Sequence, residues 1–252
     1  MEKISEDNLQ DPKDQLAVAL DVPDARAALE LVDRLEDSCR WLKVGMELYY
    51  ATGNSLVEAL RQRGFRIFLD LKLHDIPNTV AGAIRSVGSV GAELLTIHAS
   101  GGRAMLQAAA DAAQAPGSPR LVAVTVLTSM DSGELASVGI SDTPAEHALR
   151  LAHLAKNCGI NGMVCSSNEV ASLRQEIGSD AVLVVPGIRP AGSEVNDQRR
   201  IATPADAISR GASLLVVGRP ITRASNPADA ARAILDEIAS AQNRPELNAL
   251  KS

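Results

Sequence analysis

Three charged side chains at close spacing are the strongest candidates for chemistry in this sequence. Asp70 and Lys72 lie in the segment RIFLDLKLHDIPNT, residues 66–79, and Asp75 follows closely. The segment begins with an apolar run of strand length, and a strand directs alternate side chains to one face, so Asp70 and Lys72 should share a face with Phe68. Two carboxylates beside one ammonium at the end of a buried strand are costly unless the charges pair or react. From this segment alone, a structural ion pair and an active site are both open interpretations.

The rest of the chain alternates between apolar runs of strand length and segments with helical character. The predicted strands span residues 15–21, 41–45, 66–72, 93–99, 120–128, 162–166, 181–188 and 213–218. The predicted helices span residues 23–35, 53–63, 77–87, 102–113, 143–157, 169–176, 204–210 and 227–241. Regular alternation of eight strands with eight helices is typical of an α/β fold, the (β/α)8 or TIM barrel. We therefore predict a single barrel domain over residues 1–252, with polar tails at about 1–13 and 243–252.

Composition and charge narrow the class of protein. The chain has 252 residues, of which 46% are hydrophobic and 2% aromatic, so its core must be aliphatic, which suits parallel strands buried on both faces. A net charge of −6 without a long basic block argues against a nucleic-acid partner. We find no signal-peptide core and no run of about eighteen apolar residues, so we expect a cytoplasmic protein without membrane contact. The cysteines, Cys39, Cys158 and Cys165, are widely spaced, which favours buried thiols over a zinc or redox site.

Polar residues lie at the carboxyl ends of the predicted strands, where barrel enzymes place their active sites. They are Asp21, Lys43, Asp70, Lys72, His98, Thr128, Arg189 and Arg219. Gly218 and Arg219, together with the turn at residues 186–189, occupy the usual phosphate position of this fold, because they follow the eighth and seventh strands. Exposed backbone N–H groups and an arginine fork suit a phosphate dianion. A tight turn with a surface arginine remains the alternative.

The segment around Asp70 resembles the hallmark of the orotidine 5'-phosphate decarboxylase family, Asp-x-Lys-x-x-Asp-Ile-x-Asn-Thr. Further matches extend from about residue 15 to 235, and they lie at Asp21, Lys43, Thr128, residues 186–189, Gln198 and residues 217–219. The resemblance implies decarboxylation of orotidine 5'-phosphate to uridine 5'-phosphate, the last step of de novo UMP synthesis. It also implies that no cofactor or metal is needed and that the enzyme is a homodimer with shared active sites.

Carried onto this sequence, the resemblance implies a role for each matching residue. The implied catalytic residues are Lys72 as proton donor, with Asp70, Asp75 and Lys43 in a charged network around it. The implied substrate-binding residues are Asp21, Lys43, Asp70, Ile76, Thr79, Thr128, Pro186, Arg189, Gln198, Gly218 and Arg219. In the family, the residues matching Asp75 and Thr79 reach the site of the neighbouring subunit. Loss of CO₂ from C6 leaves a carbanion without an electron sink, which explains the need for an ammonium that stabilises and then protonates it.

Within that binding set, the implied contacts divide by part of the substrate. Asp21 and Lys43, with Thr79 from the adjoining chain, would hold the ribose hydroxyls, and Thr128 would contact the pyrimidine. The residues implied to hold the 5'-phosphate are Arg189, Gln198, Gly218 and Arg219.

Two other functions remain open at this point. A sugar-phosphate epimerase or aldolase-like lyase on a related barrel would share the phosphate site and an Asp-x-Lys strand, but it would often use a metal. His74 and His98 are the candidate ligands, yet neither belongs to a close His/Asp pair, so packed or hydrogen-bonding histidines are favoured. A catalytically silent protein that binds a phosphorylated ligand is the other alternative. Simple binding, however, needs no buried Lys72 between two carboxylates.

Overall fold

Parallel strands close a barrel in sequence order. A computed structural model of the protein describes residues 11–190 and 202–243. The strands are β1 (Leu16–Ala19), β2 (Trp41–Gly45), β3 (Arg66–Leu73), β4 (Leu94–His98), β5 (Arg120–Val124), β6 (Gly162–Val164), β7 (Val182–Val185) and β8 (Leu214–Val217). Each strand pairs in parallel with the next, and β8 pairs with β1 to complete the ring. The predicted (β/α)8 barrel is confirmed.

Helices follow the strands around the outside of the barrel. They are α1 (Ala25–Leu35), α2 (Met46–Thr52), α3 (Asn54–Gln62), α4 (Pro77–Gly88), α5 (Gly102–Ala112), α6 (Ser132–Ser137), α7 (Pro144–Asn157), α8 (Val170–Ile177), α9 (Pro204–Ser209), α10 (Arg219–Thr222) and α11 (Pro227–Gln242). The short helices α2, α6 and α10 were not predicted. The strands β5 and β7 are shorter than predicted, because the chain leaves the sheet at Val124 and Val185 to form the mouth of the barrel.

Several helix starts are fixed by caps or prolines. Asp24 caps α1 by accepting a hydrogen bond from the backbone N of Ala27 at 2.8 Å. Thr143 and Glu146 form a reciprocal capping box at α7. Pro77 occupies the first turn of α4, as predicted. These fixed starts limit the length of the loops that lead from each strand to its helix, and those loops surround the mouth of the barrel.

Strand alternation separates an inner and an outer apolar layer. On β1, Ala17 and Ala19 belong to the barrel interior, whereas Leu16 and Val18 pack against the helices. The interior cluster consists of Ala17, Ala19, Trp41, Phe68, Leu94, Val122, Val182, Val184, Leu214 and Val216. The buried outer layer is aliphatic, as the low aromatic content predicted, whereas the interior cluster includes the aromatic residues Trp41 and Phe68. All three cysteines are buried free thiols, which confirms that prediction.

Most of both predicted tails, and the segment that carries Gln198, lie outside the described residues. Residues 11–13 were assigned to the first tail, but regular structure begins there: Pro12–Gln15 is a 3-10 helix capped by Asp11. It is anchored because Lys13 Nζ donates to the backbone oxygen of Asp37 at 2.7 Å. Within residues 11–190 and 202–243, no helix combines the length and the apolar character that a membrane crossing needs.

Candidate active site

A cavity of about 270 Å³ opens at the carboxyl ends of the strands. The interior rows of side chains lead directly into it, because Lys43 follows Trp41 and Asp70 follows Phe68 on the inward face of their strands. The alternation that fills the barrel with apolar groups thus places charged groups at its mouth. The cavity is lined by Ala19, Asp21, Lys43, Phe68, Asp70, Lys72, Val124, Val126, Leu127, Thr128, Val164, Cys165, Val184, Pro186, Arg189, Val216, Gly218 and Arg219.

Four of these residues form a continuous row of alternating charge. Lys43 Nζ lies 3.3 Å from Asp21 Oδ1 and 3.4 Å from Asp70 Oδ2. Lys72 Nζ donates a hydrogen bond to Asp70 Oδ1 at 2.7 Å. Lys43 is only 7% exposed, so its ammonium has few contacts with bulk water, and the two carboxylates compensate for its charge. The row therefore runs from Asp21 through Lys43 and Asp70 to Lys72.

The pKa of Asp70 is set by opposing influences. Burial is the largest of them and on its own raises the pKa, but the ammonium groups of Lys43 and Lys72, with hydrogen bonds from Lys72 and Thr96, together hold the pKa of Asp70 below its usual value. Asp70 therefore stays ionised at neutral pH. Because the folded pKa is lowered, the carboxylate stabilises the fold above the ordinary aspartate pKa, and this contribution is lost as the pH falls through the lowered one.

Strand β3 is irregular where it carries Asp70 and Lys72. Leu69 pairs with Leu95 and Leu73 with Ile97, so four steps along β3 match only two along β4. Lys72 has a φ of 50°, a left-handed conformation that costs a side chain with a Cβ about 1–2 kcal/mol. Asp70 and Lys72 do line one cavity, as predicted. Asp70 follows the regular alternation from Phe68, whereas Lys72 reaches the cavity through this irregularity and not through the regular alternation that we assumed.

Two glycines make room for the charged row. A Cβ at Gly218 would lie 3.2 Å from Asp21 Oδ2, and a Cβ at Gly45 would lie 3.1 Å from Lys43 Nζ. A side chain at either position would press on the carboxylate or ammonium group beside it. Gly218 was predicted from its place after the eighth strand, whereas Gly45 was not predicted.

The far side of the cavity carries two arginines. Arg189, which is 7% exposed, donates from Nη1 to the backbone oxygen of Ile188 at 2.9 Å, and Arg219 begins α10. The side chains that line the cavity within the described residues include four cations, Lys43, Lys72, Arg189 and Arg219, and two carboxylates, Asp21 and Asp70. The cavity is therefore cationic in a chain of net charge −6, which suits an anionic ligand. Thr128 and Pro186 also lie here, as predicted, and Gln198 lies outside the described residues.

Three residues of the predicted site do not line the cavity of their own chain. Asp75 and Thr79 are exposed, and Ile76 is 67% exposed. Asp75 accepts a hydrogen bond from the backbone N of Ile76 at 2.7 Å, within the loop after β3. In a single chain, the charged row thus ends at Lys72. The contribution of these residues to a neighbouring site stays a prediction.

The two histidines near the mouth contact each other. The ring centroids of His74 and His98 lie 5.2 Å apart with an angle of 30° between the planes. Burial, with smaller influences from His74 and Lys72, lowers the pKa of His98. His98 was predicted to lie at the mouth with the other polar residues, but it does not line the cavity. Among the described residues, no group of three or more His, Cys, Asp or Glu side chains is placed to hold a metal ion.

Sequence reasoning missed the apolar wall of the cavity and one polar residue beneath it. Thr96 is fully buried and hydrogen bonds with both Asp70 and Lys72. The sequence signal that could have found Thr96 was its position two residues before His98, because residues two apart lie on the same face of a strand. Cys165 also lines the cavity, and burial raises the pKa of its thiol, so it is held in the unreactive protonated form.

A closed parallel barrel with a charged cavity at the carboxyl ends of its strands places the chain among the (β/α)8-barrel enzymes. Comparison with known proteins then gives the family. The chain belongs to the orotidine 5'-phosphate decarboxylase / HUMPS family, whose profile matches residues 14–234.

Three of the similar proteins bear the name of one activity. A protein of Nitrosospira multiformis named orotidine 5'-phosphate decarboxylase is 53% identical over 220 residues, which cover 87% of this chain and 91% of the relative. A protein of the same name from Chromobacterium violaceum is 52% identical over 225 residues, covering 88% and 91% of the two chains. The crystal structure of orotidine 5'-phosphate decarboxylase from Lactobacillus acidophilus matches with a TM-score of 0.79 and 40% identity, covering 88% of this chain and 98% of that one.

Proposed function

We propose that this protein converts orotidine 5'-phosphate to uridine 5'-phosphate and CO₂ without a cofactor. The observation that carries the proposal is the row of alternating charge that ends at Lys72 inside a cationic cavity. Lys72 Nζ lies 2.7 Å from Asp70 Oδ1, so an ammonium is fixed where a substrate ring could meet it. Membership of the decarboxylase family, with relatives of that name at about half identity, supports the same reaction.

The proposed chemical step uses only side chains of the protein. The bond between C6 of the pyrimidine and the carboxylate breaks, CO₂ leaves, and the electron pair remains on C6. The Lys72 ammonium stabilises this developing charge and then transfers its proton to C6. The neutral amine regains a proton from solvent after product release. Asp70 and Lys43 are fixed before the reaction begins, so little reorganisation is needed when charge develops.

The rest of the cavity is proposed to hold the other parts of the substrate. Arg189, Arg219 and the backbone at Gly218 bind the 5'-phosphate, together with Gln198, which lies outside the described residues. Asp21 and Lys43 bind ribose hydroxyls, and Thr128 with Pro186 contacts the base. The distribution of charge supports this arrangement, because the arginines follow β7 and β8 whereas Lys72 lies at the end of β3 across the cavity. A dianion held at one side then directs C6 towards the other.

We further propose that a second copy of the chain completes each site. Within one chain, Lys72 has one carboxylate, Asp70, on its row, and Asp75 is turned outward in the loop after β3. That loop also exposes Ile76, while α2, which follows the neighbouring strand, exposes Met46 and Tyr50. Apolar side chains beside the mouth suit an interface between copies. In the dimer, Asp75, Ile76 and Thr79 of one chain would approach the cavity of its partner.

A direct assay tests the proposed function. The purified protein is mixed with orotidine 5'-phosphate, and the loss of its absorbance is followed with and without a chelator. We expect rapid formation of uridine 5'-phosphate that the chelator does not slow. Activity abolished by the chelator and restored by a divalent metal would instead indicate a metal-dependent lyase. Tight binding of the nucleotide with no turnover would indicate a binding protein.

A further inference from the structure

Thr96 occupies the position on β4 that faces the irregular part of β3. Its neighbours Leu95 and Ile97 are paired with Leu69 and Leu73, so Thr96 alone lies opposite the three residues between them. Thr96 is fully buried, and it lies on the inward face of the strand with Leu94. Regular backbone pairing is interrupted at this point, so the backbone groups of β3 need other partners.

The hydroxyl of Thr96 supplies one such partner. Its Oγ1 accepts a hydrogen bond from the backbone N of Lys72 at 2.7 Å. Lys72 is the residue with a φ of 50°, a conformation that persists only when surrounding contacts hold it. A side chain on β4 therefore takes the place of a backbone acceptor at the residue whose backbone is strained.

The same hydroxyl also orients the carboxylate of Asp70. Thr96 Oγ1 donates to Asp70 Oδ1 at 3.1 Å, and that oxygen also accepts from Lys72 Nζ at 2.7 Å. The other oxygen, Oδ2, lies 3.4 Å from Lys43 Nζ. The carboxylate is thus held on both oxygens, and a hydroxyl has the one donor and the acceptor capacity that this double contact requires.

We propose that Thr96 is a positioning residue for the reaction: its hydroxyl holds the Lys72 backbone in the left-handed conformation and fixes the Asp70 carboxylate that aims the Lys72 ammonium. Thr96 does not line the cavity and acts through these two residues. The predicted changes in kcat and KM rest on the proposed function, whereas the hydrogen bonds of Thr96 do not depend on it. It predicts that loss of the hydroxyl lowers turnover more than substrate binding, because the phosphate contacts lie elsewhere.

The chain offers a matched control for this residue. Thr125, just after β5, is 5% exposed, and its Oγ1 donates to the backbone oxygen of Val164 at 3.0 Å. Thr125 does not line the cavity. Thr96→Val and Thr125→Val are the same chemical change, and each removes a buried hydroxyl that hydrogen bonds. Thr96→Ser restores the hydroxyl at the first position and removes only a methyl group.

The experiment measures kcat and KM for orotidine 5'-phosphate in the three variants, together with a crystal structure of Thr96→Val. We expect Thr96→Val to lower kcat by between about tenfold and a hundredfold, because the loss of a hydrogen bond to a charged group has an effect of this size. KM should change by less than about threefold. Thr96→Ser should keep most of the wild-type kcat, and Thr125→Val should resemble wild type. In the crystal structure, Lys72 should leave the left-handed region or Asp70 should rotate.

Several results would overturn the inference. Wild-type turnover in Thr96→Val, equal losses in Thr96→Val and Thr125→Val, or failure of serine to rescue would each show that the hydroxyl does not position the site. If the wild-type protein itself lacks decarboxylase activity, the proposed function fails, and the crystal structure alone then decides whether Thr96 holds Lys72. Should Thr96→Val not fold, Thr96→Ala takes its place with the same expected split between kcat and KM.

Discussion

Carboxylates are buried at both ends of the barrel, but the cations that pair with them differ between the two ends. At the amino end, Asp14 is 8% exposed and pairs with Arg40 and with Arg66, whose Nη1 lies 3.4 Å from Asp14 Oδ1. Arg66 also pairs with Glu93 at 2.6 Å and lies 4.1 Å from the ring centre of Trp41. Arginine forks and a stacked ring therefore satisfy the charges from several sides.

At the carboxyl end the partners are lysines, and the space around them is open. Lys43 and Lys72 share Asp70 beside a cavity of about 270 Å³, whereas the cavity at the amino end measures only about 20 Å³. An arginine stays protonated in proteins and forms rigid forks, while a lysine is a compact charge that can give up a proton. We interpret the amino end as structural and the carboxyl end as the place of chemistry.

Removal of Lys72 should give the largest effect at the carboxyl end. We expect Lys72→Ala to lower kcat by about 10⁴-fold or more, because the same ammonium both stabilises the carbanion and donates the proton. The variant should still fold and bind uridine 5'-phosphate, since the proposed phosphate contacts are remote from position 72. Steady-state kinetics and calorimetric titration with the product measure the two quantities. Substantial residual turnover would remove Lys72 from the mechanism.

Removal of the Arg219 side chain should weaken recognition of the substrate phosphate and have little other effect. We expect Arg219→Ala to lower kcat/KM for orotidine 5'-phosphate roughly a thousandfold, because a charge-assisted contact to a dianion is lost. This factor corresponds to a loss of about 4 kcal/mol of transition-state stabilisation. Turnover of the dephosphorylated nucleoside, which we expect to be slow, should hardly change. The comparison of the two substrates serves as its own control. Equal damage to both would mean that Arg219 has a structural role, like the arginines at the amino end.

The same substitution at both ends sharpens the comparison further. Asp14→Asn should lower the free energy of unfolding by about 1–3 kcal/mol, less than for a fully buried pair, because Arg40 is 39% exposed. Its kcat should stay within about twofold of wild type. Asp70→Asn should instead lower kcat by at least about a hundredfold. Urea denaturation and steady-state kinetics of both variants give the result, and a loss of turnover in Asp14→Asn would end the division into a structural and a chemical end.

Much of this organisation follows from local sequence. Alternation of apolar segments predicts the barrel, and the barrel rule then brings Asp21, Lys43, Asp70 and Arg219 to one end, because each lies in the carboxyl-terminal part of its strand or just after it. The irregularity of β3 could not be predicted, since the left-handed Lys72 and its contact with Thr96 depend on pairing with a strand more than twenty residues away. The short helices α2, α6 and α10 contain too few residues to show a period.

The place of Asp75 shows a different limit. Its sequence position predicts a loop after β3, and the structure has it there, exposed. Which cavity that carboxylate serves depends on a second chain, which neither the periodicity of one sequence nor the contacts of one chain can supply. The proposed shared site therefore depends on an experiment that distinguishes the two chains.

Complementation between two inactive variants tests the shared site most directly. Lys72→Ala and Asp75→Ala homodimers should each be nearly inactive. When equal amounts are unfolded and refolded together, about half of the dimers are mixed, and each mixed dimer has one site with both lesions and one with neither, as two-fold symmetry requires. Activity should then rise to roughly a quarter of wild type. If Asp75 serves its own chain, every site keeps a lesion, and no gain over the separate variants, with mixed dimers confirmed by mass, would contradict the account.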